Sequence, residues 1–314
     1  MDVVGLGYCS LDYLGIVPGR PEFDADTVSL DDFAQSGGGP VSTALVALAR
    51  LGARTGYIGM LGEDEGGAFL KGEFEREGVD LSRLRVQAGA RSQICMVLVE
   101  AGTGRRSILC YRAQGELVLD EADRTYVSSA RYLHMDGNHM DAAVTAARWA
   151  RADGVKVSFD ANRPRPGLEE LLPLVDVLIA SERFPLAYTG QRDQMQAGHS
   201  LLGMGPEMVV ITLGAEGCLC LWGEQVIHVP GFRVDVVDTT GAGDAFHGAF
   251  LYGLLQGWEL ERTAVFANAV AAMNCTRLSG RAGLPSLAEV EVFLKQMTAS
   301  TLPQKALPCI MRAE

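Results

Sequence analysis

Val237 to Phe246 read VDTTGAGDAF. A β-branched run ends at Asp238, two threonines follow, and a Gly-Ala-Gly turn leads into a helical pattern that Asp244 opens. Gly241 and Gly243 can take positive φ, so successive N–H groups can converge on one point. A helix beginning near Asp244 adds its own free N–H groups and the positive end of its dipole. The segment therefore predicts an anion-binding cradle with a carboxylate at its mouth. A carboxylate there also reads as a plain helix cap, and these residues alone leave both readings open.

Outward from this turn, apolar strand-like runs alternate with helical periodicity. VVGLG (3–7), TGYIGML (55–61), YLHMDG (132–137), VKVSFD (155–160), VDVLIAS (175–181), MVVITLG (208–214) and CLCLW (218–222) read as strands. Helices are predicted from Pro40 to the stop at Gly52, from Gly66 to Glu77, and over 141–153, 244–256 and 260–273. Strands apolar on both faces, alternating with helices, predict an α/β fold with a mostly parallel central sheet covered on both sides. Two segments break the rhythm. Residues 12–36 are irregular and strand-like, and 91–112 read as a hairpin around Gly102-Thr103-Gly104. We expect them to form a small β lid over a core of 1–11, 37–90 and 113–314.

The 314 residues are 48% hydrophobic with a formal charge of −12. That suits a large buried core and argues against a nucleic-acid or anionic-membrane surface. No run reaches the ~18 apolar residues of a membrane span, and the N-terminus lacks a basic leader pattern. Seven scattered cysteines, an odd number, predict free thiols and a cytoplasmic location. GLGYCS (5–10) nearly matches a dinucleotide fingerprint, but Ser10 replaces its third glycine and no helix pattern follows.

DTTGAGDAF resembles the C-terminal signature of the ribokinase, or PfkB-type, carbohydrate kinases. GGGPVSTALVALARLGARTGYIGMLGEDEGG (37–67) resembles that family's other signature. The likeness runs from VVGLG to GRAGLP (280–285), and in style it is nearest to the branch containing sulfofructose kinase. It implies a ribokinase-like fold and ATP-dependent phosphoryl transfer to a sugar hydroxyl. Asp244 matches the family's catalytic base, and the amides of Gly241, Ala242 and Gly243 would hold the transferring phosphoryl.

On the nucleotide side the resemblance assigns Thr212, Gly214 and Gly217 to the phosphates. It places Gly280, Arg281 and Gly283 beside the adenine, with Asn274 as a contact or a helix cap. Mg2+ is implied with ATP. The family's Asn-x-x-Glu is here Ser181-Glu182-Arg183-Phe184, leaving Glu182 as a displaced water-mediated ligand. Asp238 and Thr240 match positions that bind a monovalent cation such as K+ in some members, or they serve structure.

On the sugar side the resemblance points to Asp12, Gly37, Gly38, Gly39 and Thr43. Gln93 and Arg106 come from the lid, and Asn138 and Arg163 from loops after strands. The expected acceptor is a ketose, pentose or sugar acid. A homodimer through the lid sheet is a further expectation. Two alternatives are a nucleoside kinase on the same fold and a non-catalytic nucleotide-binding regulator. The first would need an aromatic clamp, for which Tyr8, Tyr13, Phe23 and Phe33 are the candidates.

Overall fold

The computed structural model describes residues 1–22, 24, 27–113 and 115–300, with side chains to 297. In chain order its elements begin with β1 (Val3–Leu6), β2 (Ser10–Val17), β3 (Asp32–Gly38), α1 (Pro40–Arg50), β4 (Thr55–Gly62) and α2 (Glu65–Arg76). β5 (Asp80–Gln87), β6 (Gln93–Glu100), β7 (Arg106–Tyr111), α3 (Glu121–Ser128), β8 (Tyr132–Met135) and α4 (Met140–Ala152) follow. Next come β9 (Lys156–Ala161), the one-turn α5 (Leu168–Leu171), β10 (Val177–Ser181), α6 (Arg183–Thr189), α7 (Gln194–Leu202) and β11 (Met208–Thr212). The chain closes with β12 (Cys218–Trp222), β13 (Gln225–Val229), α8 (Ala242–Leu255), α9 (Leu260–Asn274) and α10 (Leu287–Ser300).

Nine strands form the main sheet in the order β13-β12-β11-β10-β9-β8-β1-β4-β5. From β11 to β5 every pairing is parallel, and β12 and β13 add an antiparallel edge. Successive residues of β1 enter opposite cores. Val3 belongs to the core that holds Val41, Leu45 and Phe250 on one face, and Val4 to the one that holds Leu133, Ala143 and Phe159 on the other. This is why the strands are apolar throughout: a sheet covered by helices has no solvent face. β1 lies between β4 and β8, so the chain direction across the sheet switches there and opens a crevice at the carboxyl edge. No helix follows β1; the chain runs directly into β2, which removes the dinucleotide reading of GLGYCS.

A second sheet, β3-β2-β6-β7, stands apart. β6 and β7 form the hairpin that the sequence predicts, while the two ends of the irregular 12–36 segment belong to β2 and β3. One face of this sheet carries Asp12, Leu14, Cys95, Val97, Cys110 and Arg106 in register. Its other face leaves Phe33, Met96 and Leu109 exposed at 57%, 58% and 55%. The expectation of free thiols fails at one pair: Cys95 and Cys110 sit directly opposite on β6 and β7, Cα atoms 4.3 Å apart, and are joined as a disulfide. Cys9, Cys218, Cys220 and Cys275 are free and buried, as small hydrophobes are, and Cys309 lies outside the described residues.

Among the described residues no helix is long and apolar enough to cross a membrane.

Candidate active site

Gly241 caps α8 with φ 73° and no side-chain hydrogen bond, so Asp244 is not the helix cap. The carboxylate stands free in the first turn, where the helix dipole favours negative charge. Of the turn's amides, Ala242 N–H donates to Thr239 O at 3.3 Å. Among the described residues no acceptor meets the N–H of Gly241, Gly243 or Asp244. The predicted cradle therefore loses Ala242, whose amide closes the turn, and gains the amide of Asp244 itself. A Cβ on Gly243 would meet nothing within 4 Å, whereas one on Gly241 would lie 2.6 Å from Gly280 O. One glycine leaves room for a ligand; the other lets two loops touch.

This turn opens into a cleft of about 660 Å3 along the carboxyl edge of the sheet. Tyr8 follows β1, Asn138 follows β8, Asp160 is the next-to-last residue of β9, Ser181 ends β10 and Thr212 ends β11; all line the cleft. α1 and α8 pack so closely that a Cβ on Gly248 would sit 2.5 Å from Ala44 O. Their N-termini, Gly39 and Gly241, consequently open into the same space.

Four aspartates surround Tyr8: Asp12, Asp136, Asp160 and Asp244. Burial pushes the Asp244 carboxyl up to about 6; Arg106 pulls against that rise and Asp136 adds to it. Burial likewise pushes Asp12 up to about 6, opposed by the Ser10 hydroxyl, which donates to its Oδ1 at 2.6 Å. Asp160 is raised further, by burial first and then by the Asp244 charge. Fully buried Asp136 accepts from the N–H of Tyr8 at 3.3 Å and of Asn138 at 2.9 Å, fixing the loops after β1 and β8. Deprotonating all four would crowd like charges, so the cleft suits a ligand that brings hydrogen-bond donors.

The structure brings together Asp12, Gly38, Gly39, Thr43, Gln93, Arg106, Asn138 and Arg163 with Thr212, Thr240, Gly241, Gly243, Asp244 and Gly280. Gly38 is required because the Asp12 carboxylate lies over it: a Cβ there would fall 2.0 Å from Oδ2. Arg106 reaches across from the second sheet, donating from Nη1 to Thr239 Oγ1 at 2.7 Å; that hydroxyl donates to Gly104 O at 2.8 Å. Thr239 thereby ties the hairpin to the loop before α8.

Other predicted positions fall elsewhere. Arg281 does not line the cleft. It is 4% exposed, pairs with Glu73 at 3.1 Å and lies 5.3 Å over the Phe74 ring, so it braces the Gly37–Gly38 strand end. Gly37 donates to that same Glu73 at 2.6 Å and does not line the cleft. Asn274, fully buried, donates to Thr240 O at 3.1 Å and supports the loop before α8 from behind. Gly283 permits close packing, since its Cβ would sit 2.4 Å from Asn274 O. Gly217 closes the turn after β11 against Val229 O, and Gly214 stands exposed at that loop's tip. Glu182 points into solvent outside the cleft, and Phe184 is core. Asp238 uses Oδ1 on Thr240 N–H and Oγ1 and Oδ2 on Ser279 N–H, which makes it a clamp of the loop, with its oxygens taken up by protein donors.

Asp136, Asp160, Asn162 and Arg165 belong to the site region and were not among the predicted positions. Asp160 is the next-to-last residue of β9 and the others lie past a strand end, and that position was the one signal available. Of the clamp aromatics only Tyr8 lines the cleft; Tyr13 and Phe33 stack on the outer face of the second sheet, 6.3 Å apart, and Phe23 lies outside the described residues.

An α/β fold with a cleft of this kind, a free acid beside unpaired helix-start amides, defines an enzyme that handles anionic groups. A family model for pfkB family carbohydrate kinases matches residues 2–287. An ATP-dependent ribose-1-phosphate kinase of Halopiger xanaduensis is 31% identical over 297 residues, covering 94% of this chain and 98% of the relative. A 5-dehydro-2-deoxygluconokinase of Clostridium beijerinckii is 27% identical over 329 residues, covering 94% and 93%. Among solved structures, a protein of E. coli provisionally described as a ribokinase II, in complex with ATP and Mg2+, superposes with a TM-score of 0.82 at 25% identity, covering 94% and 99%. The chain belongs to the pfkB family of carbohydrate kinases and is a sugar kinase with the ribokinase-like fold.

Proposed function

We propose that the protein transfers the γ-phosphoryl group of ATP to a hydroxyl of a small carbohydrate, with Asp244 as base. One observation carries this reading: Asp244 is a free carboxylate in an open cleft, beside N–H groups that no described residue accepts. The relatives act on different acceptors by name, so membership of the family does not fix the sugar.

The free amides of Gly241, Gly243 and Asp244 and the open space above Gly243 fit a phosphate chain entering at the start of α8. Thr212 and Ser181 border the nucleotide end. For Mg2+ the described residues offer no cluster of three acidic, His or Cys side chains, and Glu182 faces away. The metal ion would enter on the nucleotide, neutralising its phosphates, with water completing its coordination. Residues 12–36 and 91–112 act as the lid, and Arg106 on Thr239 holds it down so that water is excluded.

Asp12 accepts hydroxyls of the acceptor and orients it against Gly38 and Gly39. The acceptor oxygen bonds to the γ-phosphorus, the bridging P–O bond breaks, and ADP leaves with the electron pair. The hydroxyl proton passes to Asp244. A carboxyl near 6 is mostly ionised at neutral pH and accepts that proton late, as the new bond forms. Positioning and charge stabilisation therefore supply most of the rate.

ATP as co-substrate agrees with a cytoplasmic location. The exposed apolar face of Phe33, Met96 and Leu109 is the surface through which two copies would pair. A coupled ADP-release assay over sugars, sugar acids, sugar phosphates and nucleosides tests the reading. Acceptor-dependent ADP release supports it; ATP binding without release for any compound would defeat it.

A further inference from the structure

Across β2, β6 and β7, Asp12, Cys95 and Cys110 stand side by side in register, and all three line the cleft. Side chains alternate along a strand, so Arg106, Ile108 and Cys110 share one face of β7, and they too border the cleft. The Cys95–Cys110 disulfide is therefore part of the cleft wall, one strand away from Asp12. Its two halves differ in access. Cys95 is 3% exposed and packs in the small cluster of Leu14, Val97 and Val99, whereas Cys110 is exposed. A disulfide with one open side can exchange with an incoming thiolate, while a buried sulfur is shielded from attack.

The second observation is what the bond holds. β7 is the edge strand of the second sheet, paired with β6 alone, and each of its residues is exposed. Its first residue is anchored, because Arg106 donates to Thr239 Oγ1. Its far end meets no such partner. Among the described residues of 112–119 no backbone hydrogen bond is formed, and Arg112 and Ala113 still line the cleft. The disulfide is thus the tie that reinforces the end of β7 beside Asp12, as Thr239 is the tie at the end beside the phosphate turn. An exposed edge strand with few packed contacts opens locally at low cost once such a tie is cut.

We propose that Cys95–Cys110 is a thiol-exchange site, entered through Cys110, that switches the acceptor wall of the cleft between a fixed and a loosened form. The reagent class is a dithiol. One of its thiolates attacks Cys110 Sγ, the bond between the two protein sulfurs breaks, and Cys95 leaves with the electron pair and takes up a proton. The second thiolate of the reagent then attacks the mixed disulfide and releases Cys110 as a thiol. The reagent loses two electrons and closes its own disulfide, and the protein pair gains them. In the disulfide form Ile108 and Arg112 are held at the acceptor. In the dithiol form the end of β7 is freed and acceptor binding weakens, while the ATP end keeps its anchor. The effect on turnover rests on the kinase reading; the exchange itself does not.

The test has three readouts. Peptide mass mapping of the chain purified without reductant should find Cys95 joined to Cys110, and dithiothreitol should separate them. The single thiol left by Cys95→Ser should react with iodoacetamide roughly tenfold or more faster than the one left by Cys110→Ser. Trypsin should cut after Arg112 roughly threefold or more faster in the reduced chain, as a loosened strand end is open more of the time. In ADP release with the best acceptor among D-ribose, D-fructose and D-gluconate, reduction should raise the KM for the acceptor roughly threefold or more, with the KM for ATP within about twofold. Both serine variants should show the reduced value and ignore dithiothreitol. Separate thiols in the unreduced chain, equal reactivity of the two single cysteines, or the same KM and cleavage in both redox forms overturns the proposal and leaves the kinase reading intact. If no compound releases ADP, the kinase reading fails by itself and cleavage after Arg112 decides the switch. Reduction of the wild-type chain decides it likewise if the serine variants do not fold.

Discussion

The two ends of the cleft are built from different materials. On the proposed reading, the phosphate end is backbone: the amides of Gly241, Gly243 and Asp244 at one helix start, with glycine leaving space. The proposed acceptor end is lined by side chains from four elements: Asp12 on β2, Arg106 on β7, Asn138 after β8 and Asp160 on β9. Phosphate is common to every reaction of such an enzyme, and backbone geometry suffices to hold it. An acceptor must be discriminated, and discrimination needs side chains that can differ from one relative to another.

The largest expected effect lies where the two ends meet. Asp244→Asn should lower kcat by about 10³-fold with KM for ATP nearly unchanged, read by steady-state ADP release. Near-normal turnover would remove the base and the comparison with it. The ends should then separate. Gly243→Val, which fills the open space over the amides, should raise KM for ATP roughly tenfold or more and spare the acceptor. Asp12→Asn should do the reverse, raising KM for the acceptor roughly tenfold and sparing ATP. Mixed effects from both variants would show that the cleft does not divide in this way.

The pH profile sharpens the same point. With Asp244 and Asp12 both near 6, kcat/KM should fall as pH drops through about 6, and Asp12→Asn should leave an acid limb from Asp244 alone. The smallest effect is on stability. A carboxyl raised from the ordinary 3.8 to about 6 by folding binds protons more readily in the folded state. Its ionisation therefore costs stability as pH rises through that interval. Asp244→Asn should melt a few degrees higher than wild type at pH 8, with the difference shrinking toward pH 4, as measured by calorimetry.

Several elements were hidden from sequence reading for physical reasons. β5 and β13 are edge strands: DLSRLRVQ is polar-rich with no fully buried position, and QVIHV is five residues long with one buried position. Arg281 stands in a glycine-rich loop near the nucleotide signature, yet its long side chain crosses to Glu73 and the Phe74 ring, a contact between residues 208 positions apart. Asp238 and Asn274 sit in or beside the signature and hold its loop together from beneath. Cys95 and Cys110 reveal their pairing only once β6 and β7 are in register.

By itself the sequence determined the alternation of strands and helices, the glycine turn before α8 and the acid that opens it. Each is a local property: a period of apolar residues, a backbone conformation, a neighbour in the chain. Tertiary structure decided which groups share the cleft wall, above all that Arg165 meets Asn138 across two strand ends and that Ala242 spends its amide on the turn. Those outcomes depend on strand order, side-chain reach and competition for hydrogen-bond partners, and none of these is written in the spacing of residues along the chain.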